Sequence, residues 1–216
     1  MALKTMDKIL VLLRQIRRSA GEVRDADIQQ KIISVVGDDL AKNHGGMLQS
    51  ALLAEIDDLK KINKMQRKKS EKALLKVLAS SELQLQKRLQ LCEAAITNLK
   101  SRKITPRECA MQWIRAKAHG TKVSNKRLHD FRKGTKGARY LAELQPASTL
   151  ATSLAKRLHS VHDAIGTWHD YELMTVEAKT TIGKKAYFTQ AIRKRRDRSR
   201  KRAIASIASF KQATLR

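Results

Sequence analysis

The sequence predicts an all-α protein, an antiparallel helical bundle in two pseudo-symmetric halves, and three observations carry that prediction. Leu, Ala, Ile, Lys, Arg, Gln and Glu dominate 216 residues that include only two Pro, nine Gly and 4% aromatics, a composition that favours helices. Apolar side chains recur at helical spacing nearly throughout, so the informative positions are the stops. Residues 13 to 28 can also be laid on residues 158 to 173 as an internal repeat. With 42% apolar residues the chain can bury a core, and the same composition argues against all-β and doubly wound α/β folds.

Taken in order, residues 2 to 36 read as one long helix that Gly21 can disturb, and the stretch from Gly37 to Gly46 forms the first break. A second helix runs from Met47 to about Ser80, and Ser80 or Ser81 can cap a third that ends near Lys100. Thr105-Pro106-Arg107-Glu108 is a strong start: Thr105 caps, Pro106 suits the first helical position, and Glu108 completes a capping box. That helix should stop near Gly120. Ser124 can cap the next, to Leu144, and Pro146 with Ser148 or Thr149 opens a long helix to about Lys179. A last helix fills residues 182 to 215. The count is about six to eight antiparallel helices joined by short loops, in one domain over residues 1–216 whose halves are 1–103 and 104–216.

In the repeat, Leu13, Gly21 and Asp25 match Leu158, Gly166 and Asp170 identically, while Ile16 meets Val161, Asp27 meets Glu172 and Ile28 meets Leu173. At about 100° per residue, Arg14, Arg17, Arg18, Gly21, Arg24 and Asp25 share one side of the first helix, opposite Leu12, Leu13, Ile16, Ala20 and Val23. The second copy places His159, His162, Asp163, Gly166, His169 and Asp170 opposite Leu158, Val161, Ile165 and Trp168. One polar face is arginine-rich and the other histidine-rich. Mid-helix Gly21 and Gly166 each cost about 1 kcal/mol relative to Ala, and close helix packing is the expected reason for them.

The net charge of +26 recruits polyanions: nucleic acid, anionic membrane or phosphate polymer. The longest apolar run, Ile9 to Leu13, is far short of the roughly 20 residues of a membrane span, and the first residues lack a signal-peptide pattern. Cys92 and Cys109 lack a CxxC spacing and read as free thiols in a reducing cytoplasm, so the expected location is cytoplasmic.

Within Leu128 to Leu141, His129, Arg132, Lys133, Lys136 and Arg139 fall inside an arc of roughly 120°, with Leu128, Phe131, Ala138 and Leu141 opposite. Like charges at these spacings cost a few tenths of a kcal/mol per pair, a cost that an anionic partner removes. The plain alternative is a solvated face. Lys60, Lys64, Arg67 and Lys68 make a second stripe, and Arg193, Lys194, Arg195, Arg196, Arg198, Arg200, Lys201 and Arg202 surround the last helix. Only one side of that helix can face a shared groove, with Arg193, Arg196 and Arg200 as its candidates.

The pattern His129-x-x-Arg132-Lys133-x-x-Lys136-x-x-Arg139-Tyr140, followed by Leu158-x-x-Val161-x-x-x-Ile165-Gly166-x-x-x-Asp170, resembles the second repeat of the CHAD family, the conserved histidine α-helical domain. Leu13-x-x-Ile16-x-x-x-Ala20-Gly21-x-Val23-Arg24-Asp25-x-Asp27-Ile28 is similar to the closing part of that family's first repeat. The resemblance covers essentially the whole chain. It implies two four-helix bundles related by a pseudo-twofold axis, and non-covalent binding of inorganic polyphosphate in a basic groove between them, often on polyphosphate granules. Position by position it implies groove contacts from His129, Arg132, Lys133, Lys136 and Arg139, with Asp25 and Asp170 at the repeat-closing positions. Further expected polyphosphate contacts are Arg14, Arg17, Arg18, Arg24, Lys60, Lys64, Arg67, His162, His169, Arg193 and Arg196. One departure matters: no His-x-x-Arg helix precedes Leu13, so the chain is expected to start inside repeat one. The accompanying hypothesis is that the resulting apolar groove on the first half is covered by a second chain, in a homo-oligomer, or by rearranged packing.

His129, His162 and His169 lie on polar faces, where phosphate contact competes with a neutral, hydrogen-bonded role. His162 and His169 are about 10 Å apart along the helix, too far to share one Zn²⁺ at about 2 Å, so no metal and no cofactor are expected. His44 and His119, beside glycines, read as loop or helix-end residues. No glycine-rich phosphate loop, HExxH or nucleophile turn is present, so the protein is read as a binder and not an enzyme. The alternative is non-specific binding to the duplex phosphate backbone. Scarce aromatics oppose single-strand stacking, no recognition helix is evident, and Trp113 and Trp168 read as core.

Overall fold

A computed structural model describes residues 2–43, 46–96, 104–117 and 124–214. Among these residues lie six helices and no strand: α1 (Ala2–Lys42), α2 (Gly46–Ile96), α3 (Pro106–Lys117), α4 (Asn125–Glu143), α5 (Thr149–Thr181) and α6 (Tyr187–Thr214). The protein is an all-α helical bundle protein. It divides into two compact units, residues 1–102 and 103–216. His44 and His119 lie outside the described residues, as do the helix ends expected near Lys100, Gly120 and Leu215.

In the first unit α1 and α2 form an antiparallel hairpin. Near the turn the seam is apolar, with Ile33 and Val36 buried on α1 and Leu52, Ile56 and Leu59 on α2. The helices approach closely there: a Cβ on Gly37 would stand 2.8 Å from Ile56 Cδ1. Gly37 therefore serves packing inside α1, and the expected break after residue 36 does not occur. The chain reverses later, past Lys42, and Gly46 opens α2 with φ +63°. Further along, the seam turns polar. Buried Asn63 donates from Nδ2 to the Ala26 carbonyl (3.0 Å) and to Gln30 Oε1 (3.1 Å), and Ser70 and Ser81 are buried on the same helix.

Three further sequence expectations fail in this unit. Ser80 and Ser81 do not start a new helix: α2 runs through them, Ser80 Oγ donates to the Val77 carbonyl within the helix (3.1 Å), and Ser81 is buried. A serine caps only where the chain enters from extended backbone, and nothing here interrupts the helical path. Leu13 is 43% exposed and not part of the seam. Among the described residues the buried apolar side chains of α1 are Ile9, Ala26, Ile33 and Val36, because one partner helix covers one stripe, and Leu13 lies off it. Finally, α1 passes Gly21 without interruption, and a Cβ built there, or at Gly166 in α5, meets nothing within 4 Å. Helix packing is thus not what keeps these two glycines small.

In the second unit α3 packs on α4, α4 on α5 and α5 on α6, with a smaller contact between α3 and α5. The core comprises Ala110 and Ile114, Leu128, Phe131, Ala138 and Ala142, the α5 line Leu154, Leu158, Val161, Ile165 and Trp168, and Ala203, Ile207 and Phe210. The capping box forms as expected: Glu108 N–H donates to Thr105 Oγ1 (3.2 Å) and Thr105 N–H to Glu108 Oε2 (2.8 Å). The Thr105 N–H, and the Thr105 hydroxyl that also donates to Glu108 Oε2 (3.0 Å), hold the Glu108 carboxyl below its ordinary pKa. Ser124 caps α4 and Ser148 caps α5. The last helix begins at Tyr187, five residues later than expected from Ile182. Gly183, at φ +94°, adopts a backbone that an L side chain resists, and this ends α5 and sets a turn before α6. Trp113 is half exposed, over the position where Gly137 lacks a Cβ.

Candidate functional site

The site is built on α4. Its inward stripe of Leu128, Phe131, Gly134, Thr135, Ala138 and Ala142 is buried. Burying that stripe forces His129, Arg132, Lys133, Lys136 and Arg139 to the outer side, where Lys133 is exposed and the other four are half-buried. The glycines keep the helix close to α3: a Cβ at Gly134 would come within 3.0 Å of Lys117 Cβ, and one at Gly137 within 2.9 Å of Trp113 Nε1.

Helix α5 adds its histidines to this face. The His129 and His169 rings meet edge to face with centroids 4.8 Å apart, and His129 lies 5.0 Å from the ring of fully buried Trp168. His162 is half-buried and hydrogen-bonds the Arg132 backbone. Arg139 spans the helices: its Nε is 3.2 Å from Glu143 Oε1 and its Nη1 donates to His159 Nδ1 (3.0 Å). Its guanidinium and the Lys136 ammonium both lie over the Tyr140 ring, at 4.9 and 5.8 Å from the centroid.

Helix α6 closes one end. Arg196 Nε is 3.5 Å from Glu172 Oε2 on α5, and Arg196 also grips Asp197 through Nε (2.9 Å) and Nη2 (2.7 Å). Arg200 donates to Asn125 Oδ1 at the start of α4 (3.1 Å). Arg193 is exposed on the same helix.

Burial first, and the surrounding cations second, set the protonation of two of the rings. Burial lowers the His129 pKa from its ordinary value, and Arg132 and Lys133 lower it further, against partial opposition from Glu172 and Asp130. Burial also lowers that of His162, with Arg132 and Arg139 adding to the effect, while the bond to the Arg132 backbone and Asp163 oppose it. Both rings are therefore neutral at pH 7. Burial and the neighbouring cations both disfavour the protonated rings in the free protein.

The remaining predicted residues belong to the first unit. Arg14, Arg17, Arg18 and Arg24 are exposed on α1, with Arg24 Nη1 3.2 Å from Asp25 Oδ1. On α2, Lys60 is half-buried and Lys64 exposed. Arg67 is engaged by acids, its Nε 2.6 Å from Asp27 Oδ1 and its Nη1 3.0 Å from Glu71 Oε2, and these carboxylates raise its pKa. It is a neutralised cation and a weak candidate for phosphate contact. Sequence reasoning missed Glu172, His159 and Asn125. For Glu172 a signal existed: it is the repeat counterpart of Asp27, and each holds an arginine of the following helix, Arg67 and Arg196 respectively.

Among the described residues no group of three or more His, Cys, Asp or Glu is placed to hold a metal ion, and no helix is long and apolar enough to cross a membrane. Cys92 and Cys109 are free thiols. The family model described as CHAD domain matches residues 2–179. Neither a curated protein nor a solved structure matches the chain.

Proposed function

The chain belongs to the CHAD domain family, and from that premise we propose that it binds inorganic polyphosphate, non-covalently and without chemistry on it, along the outer face of α4. The observation that carries this reading is the one-sided strip itself. Arg132, Lys133, Lys136 and Arg139 line a helix whose other side is core, and α5 and α6 bring His162, His169, Arg196 and Arg200 to the same unit. A linear polymer with about one charge per phosphate can run along such a strip while its counterions are released, so affinity falls steeply with salt, as it does for nucleic acid. Arginine supplies a planar fork for two oxygens and lysine a mobile point charge. Such binding would direct the protein to polyphosphate granules.

Non-specific binding to duplex DNA is the second reading, favoured by the exposed cations Lys194, Arg198, Lys201 and Arg202, which lie on other sides of α6 than Arg196 and Arg200. A competition at fixed salt between long-chain polyphosphate and duplex DNA of equal phosphate concentration separates the two. Preference for polyphosphate supports a shaped strip; parity overturns it in favour of diffuse attraction.

A further inference from the structure

Helix α6 carries a second set of cations. Arg195, Arg198 and Arg202 follow one another at i, i+3 and i+7, one side of the helix. They rim a cleft of about 360 Å³ between α5 and α6 whose α5 wall is Ala164, Thr167 and Tyr171. At about 100° per residue those α5 positions point away from His162 and His169, so the cleft opens on the side of α5 remote from the histidine face.

The residues that line the cleft include no acid. Among the described residues neither Arg198 nor Arg202 takes part in an ion pair. Of the acids next in sequence to the lining residues, Asp197 pairs with Arg196 (2.7 Å) and Glu172 faces the same arginine (3.5 Å). Thr167 donates its hydroxyl to the Asp163 carbonyl, and Ser199, buried at the base, donates to that of Arg196. The cleft thus has an apolar and hydroxyl floor, a phenol at one edge and three guanidiniums at the rim. Its volume equals that of about a dozen waters at about 30 Å³ each, room for a di- or triphosphate. The forked guanidiniums of Arg198 and Arg202 at the rim of a concave site match the tetrahedral oxygens of a compact phosphate anion better than they match an extended polymer.

We propose that this cleft is a separate binding site for a compact phosphate anion of the pyrophosphate or triphosphate type, independent of the α4 strip and of the polyphosphate reading. Titration calorimetry with inorganic pyrophosphate tests it on the full chain. Arg198→Ser with Arg202→Ser should lower the affinity about tenfold or more, the loss expected when two charge-assisted contacts go. Ala164→Leu, which fills the cleft without changing charge, should do the same. Lys194→Ser with Lys201→Ser, which removes equal charge from exposed positions outside the cleft, should leave it within about twofold. Circular dichroism confirms that each variant folds. Equal losses in the two double variants, or full affinity in Ala164→Leu, would overturn the site. A separate titration with long-chain polyphosphate reports on α4, so failure of one proposal is distinguishable from failure of the other.

Discussion

The His129 ring of α4 stands edge-on to the His169 ring of α5, centroids 4.8 Å apart, with the indole of buried Trp168 5.0 Å from His129 on another side. Two rings that both gained a proton at this separation would repel each other, and Arg132 and Lys133 add to the penalty for His129. A bound polyanion reverses that balance, because it supplies the negative charge the site lacks. Proton binding and polyphosphate binding should therefore be linked.

Affinity for long-chain polyphosphate should rise as pH falls from 8 to 6, with proton uptake on binding. The free protein holds His129 and His162 neutral to lower pH than usual, so uptake is greatest between their lowered free values and their higher bound ones. Calorimetry in buffers of different ionisation enthalpy measures it directly. Constant affinity across that range in wild type, matching that of His129→Gln with His162→Gln, would remove the histidines from the site.

The same shifts predict the stability of the free protein. A histidine whose folded pKa is lowered contributes fully above its unfolded value of about 6.5. Its contribution is lost as pH drops below that value toward the folded pKa, since the unfolded chain then binds protons more readily. Denaturant midpoints should accordingly fall between pH 7 and 5.5, and His129→Gln with His162→Gln should flatten that fall. An unchanged slope in the double variant would place the pH dependence elsewhere.

Removing Arg132 and Lys136 together, each to Ala, should weaken polyphosphate binding by about tenfold or more at moderate salt. It should also make the log–log salt dependence shallower by about two, one for each lost phosphate contact. Lys194→Ala with Lys201→Ala removes the same charge and should cost no more than about threefold. Filter binding across a salt series is enough to compare them.

The glycines divide into two classes by what surrounds them. Gly21→Ala adds a Cβ to open space in mid-helix and should stabilise the protein by about 0.5–1 kcal/mol. At Gly37 the same change drives a Cβ to 2.8 Å from Ile56 Cδ1 within the hairpin seam. Overpacking there should cost about 1–3 kcal/mol before the helix-propensity gain is counted. Denaturant melts of the two variants, shifted in opposite directions, would establish the contrast.

Much of the helix inventory was readable without coordinates. Thr105 with Glu108, Ser124 and Ser148 announce helix starts because capping is a local transaction between a side chain and the next three amides. The α4 strip was readable for a similar reason, since periodicity alone separates Leu128 and Phe131 from Arg132 and Lys136. Gly37, Ser81 and Gly21 were misread because each depends on what surrounds it in three dimensions. Gly37 answers to Ile56, Ser81 to burial beneath another helix, and Gly21 to an empty space that no local pattern reveals.

The chain on its own determined an all-helical protein of large positive charge with a cationic face on one helix, because helix propensity, capping and the 3.6-residue period act over a few neighbouring residues. Only the tertiary structure decided which cations remain available and which rings stay neutral. It engaged Arg67 with Asp27 and Arg196 with Glu172, exposed Leu13, and pressed His129 against Trp168 and His169. Ion pairing and desolvation depend on distances between helices, and the helical period carries no record of those distances.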